Sequence, residues 1–439
     1  MTAAVSGKWE DVRIKWVLMT LESGRREVSD TDSFEGGALS IGGEHIGWKG
    51  EWLLDNRRYI SRDFYSTLNT GKVRVGDVLL VKDGATIGKV AIAESLPSDE
   101  VAVNEHVFLL RILSDHDPKF YFYVVQSQFL QSQIQLEVRG AAQPGLNSEF
   151  KNVVVVPRPP KEFQTAIAKY LDAETAEIDI LIAEKERMLA LLEEKRAALI
   201  THAVTRGLAP NVSLKPSGLD WFGGVPAHWR VERLKFHLAQ RIEQGWSPVC
   251  ENRLAEEDEW AVLKVGCVNG VRFNPEEQKA LPSDLEPVMR YEIQENDILL
   301  SRGNTLELVG SASVVPRVRP RLLLCDLLYR CRVDTDSVHP EFAVNQLRSI
   351  AGRFQIEREA SGTSGSMKKI GQETIQNFVL FIPSLEEQDQ ILNKIKATTL
   401  RIDSIRDVTT DSIRLLRERR NALITAAVTG QISIEEMTE

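Results

Sequence analysis

Cysteine is scarce in this chain and confined to its second half. Cys250, Cys267, Cys325 and Cys331 are spaced 17, 58 and 6 residues apart, with no CxxC pair. That spacing argues against a structural zinc site and for reduced, buried thiols of a cytoplasmic protein. No apolar run approaches the roughly 18 residues that span a bilayer, so no membrane is expected. The first residues, MTAAVSGKWEDVRIKW, lack the apolar core of a signal peptide. Enzyme motifs are missing as well: there is no HExxH, GxSxG, Asn-Pro-Pro-aromatic or GxGxxG pattern. The stretch from Gly84 to Val90 imitates a phosphate loop, but it has three residues where four are needed and Val90 where Ser or Thr belongs. His45, His106 and His116 have no metal-ligand spacing. No catalytic residue, metal ligand or bound cofactor is therefore expected in this chain.

A repeated block is what the chain does contain. EKRAALITHAVT at 194–205 returns as ERRNALITAAVT at 418–429, an offset of 224 residues. Upstream, Gln164, Ile167, Ala173, Thr175, Ile178, Asp179, Leu191 and Leu192 return as Gln388, Ile391, Ala397, Thr399, Ile402, Asp403, Leu415 and Leu416. Pro159 and Pro383 mark the same starting point. Trp9, Arg13 and Lys15 match Trp229, Arg233 and Lys235 at an offset of 220, as do Asp77–Leu80 and Asp297–Leu300. This is the tandem duplication of a whole module, not a solenoid. The helices keep their sequence and the globular segments diverge.

Both repeated blocks lack Gly and Pro and carry heptads. Leu171, Ile178, Leu192 and Leu199 share a seven-residue spacing, flanked by Leu181, Met188, Ile182 and Leu189. Ile395, Ile402, Leu416 and Leu423 repeat it, with Ile405 and Ile413. Such spacing predicts a coiled coil. About 40 residues at 1.5 Å each gives roughly 60 Å, long for packing on one small domain. The two helices are expected to pack antiparallel on each other, about an internal pseudo-twofold axis. The alternative is that each packs on its own globular segment. Lys185 and Thr409 interrupt the two seams at equivalent positions and are expected to face each other.

The globular segments read as mixed α/β. Val78–Val81, Val107–Ile112, Val153–Val156, Ile298–Leu300 and Phe378–Ile382 are short β-rich runs, with helical stretches at Pro118–Gln135 and Pro340–Glu359. Two pairs of glycine-rich polar loops stand out. One pair is 82–89, with Lys82, Thr86 and Lys89, and 301–305, with Ser301, Arg302, Asn304 and Thr305. The other is 139–147, with Arg139, Gln143 and Asn147, and 361–369, with Ser364, Lys368 and Lys369. Glycine lets backbone approach a partner, and Arg, Lys, Asn and Gln pair with base edges. Ordinary β-turns have similar compositions.

Net charge is −9, yet the segment 299–370 holds eleven basic residues against seven acidic ones, after an acidic run at 256–259. Phosphate binding by such a chain would be salt-sensitive. A solvated charged surface is the other reading.

Taken together, Pro159-Pro160-Lys161-Glu162-Phe163-Gln164, Pro383-Ser384-Leu385-Glu386-Glu387-Gln388 and the spacer Lys215–Trp229 resemble the specificity subunits of type I restriction–modification systems, and their order covers essentially the whole chain. The Pro-Arg-Pro-Pro-Lys run at 157–161 is irregular beside the second copy. The resemblance implies a first target recognition domain at 1–158, a central helix at 159–208 and a linker at 209–228. A second recognition domain at 229–382 and a distal helix with tail at 383–439 would follow. Each domain would read half of a split double-stranded DNA target through the major groove, and the helices would set the gap. The candidate DNA contacts are the loop residues named above, with Arg57 and Arg58. Two modification subunits would supply S-adenosylmethionine and adenine methylation, and restriction subunits would supply ATP- and Mg-dependent translocation and cleavage. A coiled-coil scaffold without a DNA role, or a stand-alone methyltransferase or nuclease, are the alternatives.

Overall fold

The computed structural model describes residues 9–27, 37–140, 144–362 and 367–438. Its two long helices, Lys161–Arg206 and Leu385–Val428, occupy the repeated blocks. The chain divides into two units, and each long helix is shared between them. The first unit comprises residues 1–186 and 410–439, the second residues 187–409.

Each unit is built on the same plan. In the first, a four-stranded antiparallel sheet runs in the order Leu18–Ser23, Val107–Ile112, Val78–Val81, Val90–Ile92. Beside it lie Arg58–Ile60, Ala38–Ile41 and Val101–Val103, the last pair parallel. The second unit repeats both sheets. One is Glu243–Gln244, Leu328–Cys331, Ile298–Ser301, Ala312–Val314, and the other Gln278–Ala280, Ala261–Leu263, Leu322–Leu323. The strands Val78–Val81 and Ile298–Ser301 are buried at every position, which is why they read as continuous apolar runs rather than alternating ones.

The aspartate before each of these strands explains its own recurrence. Asp77 accepts from the Arg74 N–H at 2.7 Å and from Arg111 through both carboxylate oxygens, at 2.9 and 2.8 Å. Asp297 accepts from the Gln294 N–H at 2.9 Å and is paired with Arg332. Both aspartates are buried, and a buried carboxylate persists only when paired and hydrogen-bonded in this way.

The two expected helical stretches are each broken into two helices, Pro118–Gln126 then Gln128–Glu137, and Pro340–Arg348 then Ile350–Glu359. Ser127 and Ser349 are extended, at ψ 148 and 160, and their hydroxyls accept from the N–H groups of Leu130 and Gly352. A serine whose side chain replaces the missing backbone partner starts a new helix in a new direction. Apolar periodicity continues across the break, so it hides the serine.

The long helices pair antiparallel within each unit. In the first unit Asp179 meets Arg420 and Glu186 meets Arg417; in the second Arg196 meets Asp403. Leu171 and Ile167 are fully buried in the first unit's core, and Leu423 packs against the same cluster. Burying one such leucine contributes about 2 kcal/mol. The seam departs from the expected one further along. Leu181, Met188, Leu199 and Ile405 are exposed, while Arg196 and Arg420 are buried on the inner face. The charged residues displace the apolar ones because each finds a carboxylate on the facing helix. Thr409 is buried in the second unit, donates to the Ile405 carbonyl at 2.7 Å and lies 3.9 Å from the Met188 sulfur, three residues beyond the expected Lys185. Lys185 belongs to the first unit and is half-buried.

Gln164 and Gln388 fix each long helix to its unit. Gln164 accepts from the Asp117 N–H at 2.8 Å and donates to Pro159 O and His116 Nδ1. Gln388 accepts from the His339 N–H at 2.9 Å and donates to Pro383 O and Ser337 O. Both side chains are fully buried, so each lost bond would leave a buried polar group unpaired, at about 1–3 kcal/mol.

Candidate nucleic-acid interface

In each unit the loop that leaves the buried central strand meets the segment that follows the helix pair. In the first, the Leu146 N–H donates to Lys82 O at 2.8 Å and the Gly84 N–H to Pro144 O at 3.1 Å. In the second, Gly303 and Asn304 pair with Lys369 and Lys368 as a two-residue ladder, and the Ile370 N–H donates to Arg302 O at 3.0 Å. The paired glycine-rich loops of the sequence thus come together within each unit. Gly88 needs its glycine: φ is +95, and a Cβ there would collide with the Gln131 amide.

The first unit's loops carry several cations. Lys82 lies 3.1 Å from Asp83 and 5.2 Å over the Phe108 ring. Lys89 stands 5.7 Å over Trp48 and lines a cleft of about 740 Å³ with Trp48, Lys49, Gln128 and Gln135. Arg139 is exposed and donates to Leu136 O at 2.6 Å. Asn147 is exposed, and its Oδ1 caps a short helix by accepting from the Glu149 N–H at 3.1 Å. Arg58 is paired with Glu44 at 3.2 Å, in the one-turn helix Gly43–His45 whose first residue approaches Thr86. Arg57 is exposed and reaches Leu54 O at 3.4 Å. Gln143 lies outside the described residues.

In the second unit Arg302 and Lys369 lie on the paired loops, and Lys368 donates to Gly362 O at 2.8 Å. Asn304 donates to Asn269 Oδ1 at 3.0 Å and accepts from the N–H of exposed Thr305. Ser301 is fully buried, donating to Leu308 O and accepting from the Ser311 N–H. Ser364 lies outside the described residues. Trp48 and Asn269 were not among the sequence candidates. An exposed tryptophan near the loops is visible only once its 61 % exposure is known.

The basic segment 299–370 is less available than its composition suggests. Arg330 and Arg332 serve Asp297 and Glu243, Arg319 caps the Glu257 and Glu259 carbonyls, and Arg353 pairs with Glu357. The acidic run before it is structural too. Hydrogen bonds from Arg253, then from the Glu256 N–H, hold the Glu259 carboxyl down to about 2. Most of this segment's arginines are therefore committed to partners within the unit.

The two α/β units, built on one plan and each joined to paired long helices, carry different polar loop pairs at the same place in the scaffold. The family described as type I restriction modification DNA specificity domain matches residues 7–189. The EcoEI specificity subunit of Escherichia coli is 27 % identical over 173 residues, covering 39 % of this chain and 29 % of that protein. The MjaVIII specificity subunit of Methanocaldococcus jannaschii is 21 % identical over 440 residues, covering 98 % of this chain and 94 % of that one. A chain from a solved structure on complex assembly and conformational transition of the type I R-M system shares the fold. Its TM-score is 0.70 at 17 % identity, covering 97 % of this chain and 99 % of that one. The likeness is thus to the specificity subunits of type I restriction–modification systems, through the family model over residues 7–189 and through relatives of low identity over most of the chain.

Proposed function

We propose that this chain selects the DNA sequence for a type I restriction–modification complex, each domain reading one half of a bipartite target and the helices setting the gap. The observation that carries this reading is the loop pair: the same strand end, on the same scaffold, bears Lys82 and Arg139 in one unit and Arg302, Asn304 and Lys368 in the other. Arg and Lys pair with guanine edges and Asn with adenine, so different side chains at one position select different bases. The chain itself carries no chemistry. Two modification subunits bring S-adenosylmethionine and methylate adenine; restriction subunits bring ATP and Mg and perform translocation and cleavage.

The test is methylation of a random-sequence DNA library by the reconstituted complex, read by sequencing. Lys82→Ala with Arg139→Ala is expected to change or relax one half-site and leave the other intact. An equal loss on every sequence would make these residues phosphate contacts and place base reading elsewhere.

A further inference from the structure

The units share an exposed feature that base reading does not use. A one-turn helix precedes the four-stranded sheet in each, Ile14–Trp16 in the first and Leu234–His237 in the second. Each begins on a buried aliphatic anchor, Ile14 or Leu234, and then presents a lysine followed by an aromatic ring. Trp16 is 61 % exposed and Phe236 71 %. The Lys15 ammonium lies 5.2 Å from the Trp16 ring centroid and that of Lys235 5.3 Å from Phe236. Arg13 and Arg233 are exposed beside them. Large aromatic side chains are ordinarily drawn inside. Here one is kept outside twice, at one place in the fold, with the same cation over its face.

Strand register places this feature away from the reading loops. In the first unit Leu18 pairs with Ile112 and Ser23 with Phe108, while Val81 pairs with Val107. Trp16 therefore lies beyond the Ile112 end of the sheet and Lys82 beyond the Val107 end, and these two ends are about 17 Å apart at 3.4 Å per residue. In the second unit Leu238 bridges Val333, whereas the Arg302 N–H donates to Leu327 O. The aromatic and the loop again occupy opposite ends of one sheet.

We propose that Trp16 and Phe236 anchor two equivalent docking sites, each taking one copy of the same protein subunit through an apolar recess with an acidic rim. The loops differ between units because their ligands differ; these sites match, so their ligand is one and the same. An aromatic anchor ringed by arginine and lysine is the composition of a protein–protein hot spot. A duplex offers no unstacked base for an exposed ring, and a duplex held by the loops lies at the other end of the sheet. The inference rests on the functional reading above, in which the modification subunit is the partner present twice.

The experiment mixes the full-length chain with the modification subunit of the same system and counts bound copies by native mass spectrometry. The wild-type chain is expected to carry two. Trp16→Ala or Phe236→Ala should each leave a one-copy complex at concentrations that saturate the wild type. The double variant should bind at least tenfold more weakly at both sites. Trp16→Phe should retain two copies, and Lys15→Glu with Lys235→Glu should weaken binding while unfolding at the wild-type temperature. Two copies bound with wild-type affinity by the alanine variants would overturn the inference. So would unchanged assembly with tenfold weaker DNA binding, which would make the rings duplex contacts. A wild-type chain that binds no modification subunit at all would instead remove the functional reading and this inference with it.

Discussion

The guanidinium of Arg420 lies 3.2 Å from the carboxylate of Asp179, and it is the only charged side chain in the repeated block 418–429 to be buried. Its counterpart under the 224-residue repeat, Arg196, lies 3.0 Å from Asp403. Each unit thus pins one long helix to the other with the same pair, the two helices exchanging the arginine and the aspartate. Removing one partner of a buried pair leaves an uncompensated charge. Arg196→Met should destabilise the second unit by about 3 kcal/mol and Arg420→Met the first, read as separate urea transitions. Arg196→Met with Asp403→Leu should recover most of the loss; a double variant no better than the single would show that the arginine acts through packing alone.

Recognition and stability should separate at the end of the central strand in the second unit. Arg302→Ala is expected to relax one half-site with unchanged unfolding. Ser301→Ala removes the hydroxyl from the Leu308 carbonyl and the Ser311 N–H, which keep their bond to each other, and should cost about 1 kcal/mol without altering the target. Sequencing of methylated DNA and a denaturation curve for each variant distinguish the two.

Seven residues inserted in each long helix, at 186–187 and 409–410, preserve heptad phase and leave both Arg–Asp pairs intact. The added length is about 10 Å, or about three base pairs of extra gap at 3.4 Å each. Methylation of substrates with fixed half-sites and graded gaps measures this. An active variant that keeps the wild-type gap would show that the spacing is set outside the helices.

Thiol chemistry should be selective. Burial pushes the Cys325 thiol up to about 12 and raises Cys267 and Cys331 further still, while Cys250 is only half-buried. Iodoacetamide at pH 8 should therefore label Cys250 first in the native chain, by peptide mass mapping, and the other three only after denaturation. Native labelling of Cys331 at the rate of Cys250 would contradict its burial.

Burial holds the His116 imidazole below its ordinary value of 6.5, and its Nδ1 lies 3.0 Å from the Gln164 amide. A neutral ring accepts that hydrogen bond. Below pH 6.5 the unfolded chain takes up a proton that the folded unit resists, so stability falls with pH until the lowered folded value is passed. The first unit should lose stability between pH 7 and 5, and His116→Gln should reduce the loss, by thermal unfolding across that range.

The repeat was legible because helices sharing one job keep their residues: Gln164, Thr175 and Asp179 recur at an offset of 224. The burial of Arg196 and Arg420 was not, since heptad reading assigns seams to apolar side chains and no periodicity announces a carboxylate on the facing helix. Ser127 and Ser349 were passed over for a related reason, their flanking apolar residues continuing in phase through each break. The loops could be found by composition, but their joining in each unit depends on strand register. The likeness of Trp16 to Phe236 lies in exposure and ring position, which residue identity conceals.

The first unit takes its core from two stretches far apart in the sequence. Ile424, Ala427, Val428 and Met437 are buried in the same cluster as Ile14 and Leu80, and Gly430, at φ +74, packs its backbone against the Trp9 indole. The second unit is one unbroken stretch, 187–409. During synthesis, then, the order of completion is reversed: the unit that begins second has all its residues first. The unit that begins first stays open on one side until residues 410–438 have been made. Loss of residues 427–438 would therefore strike the unit whose strands were made first.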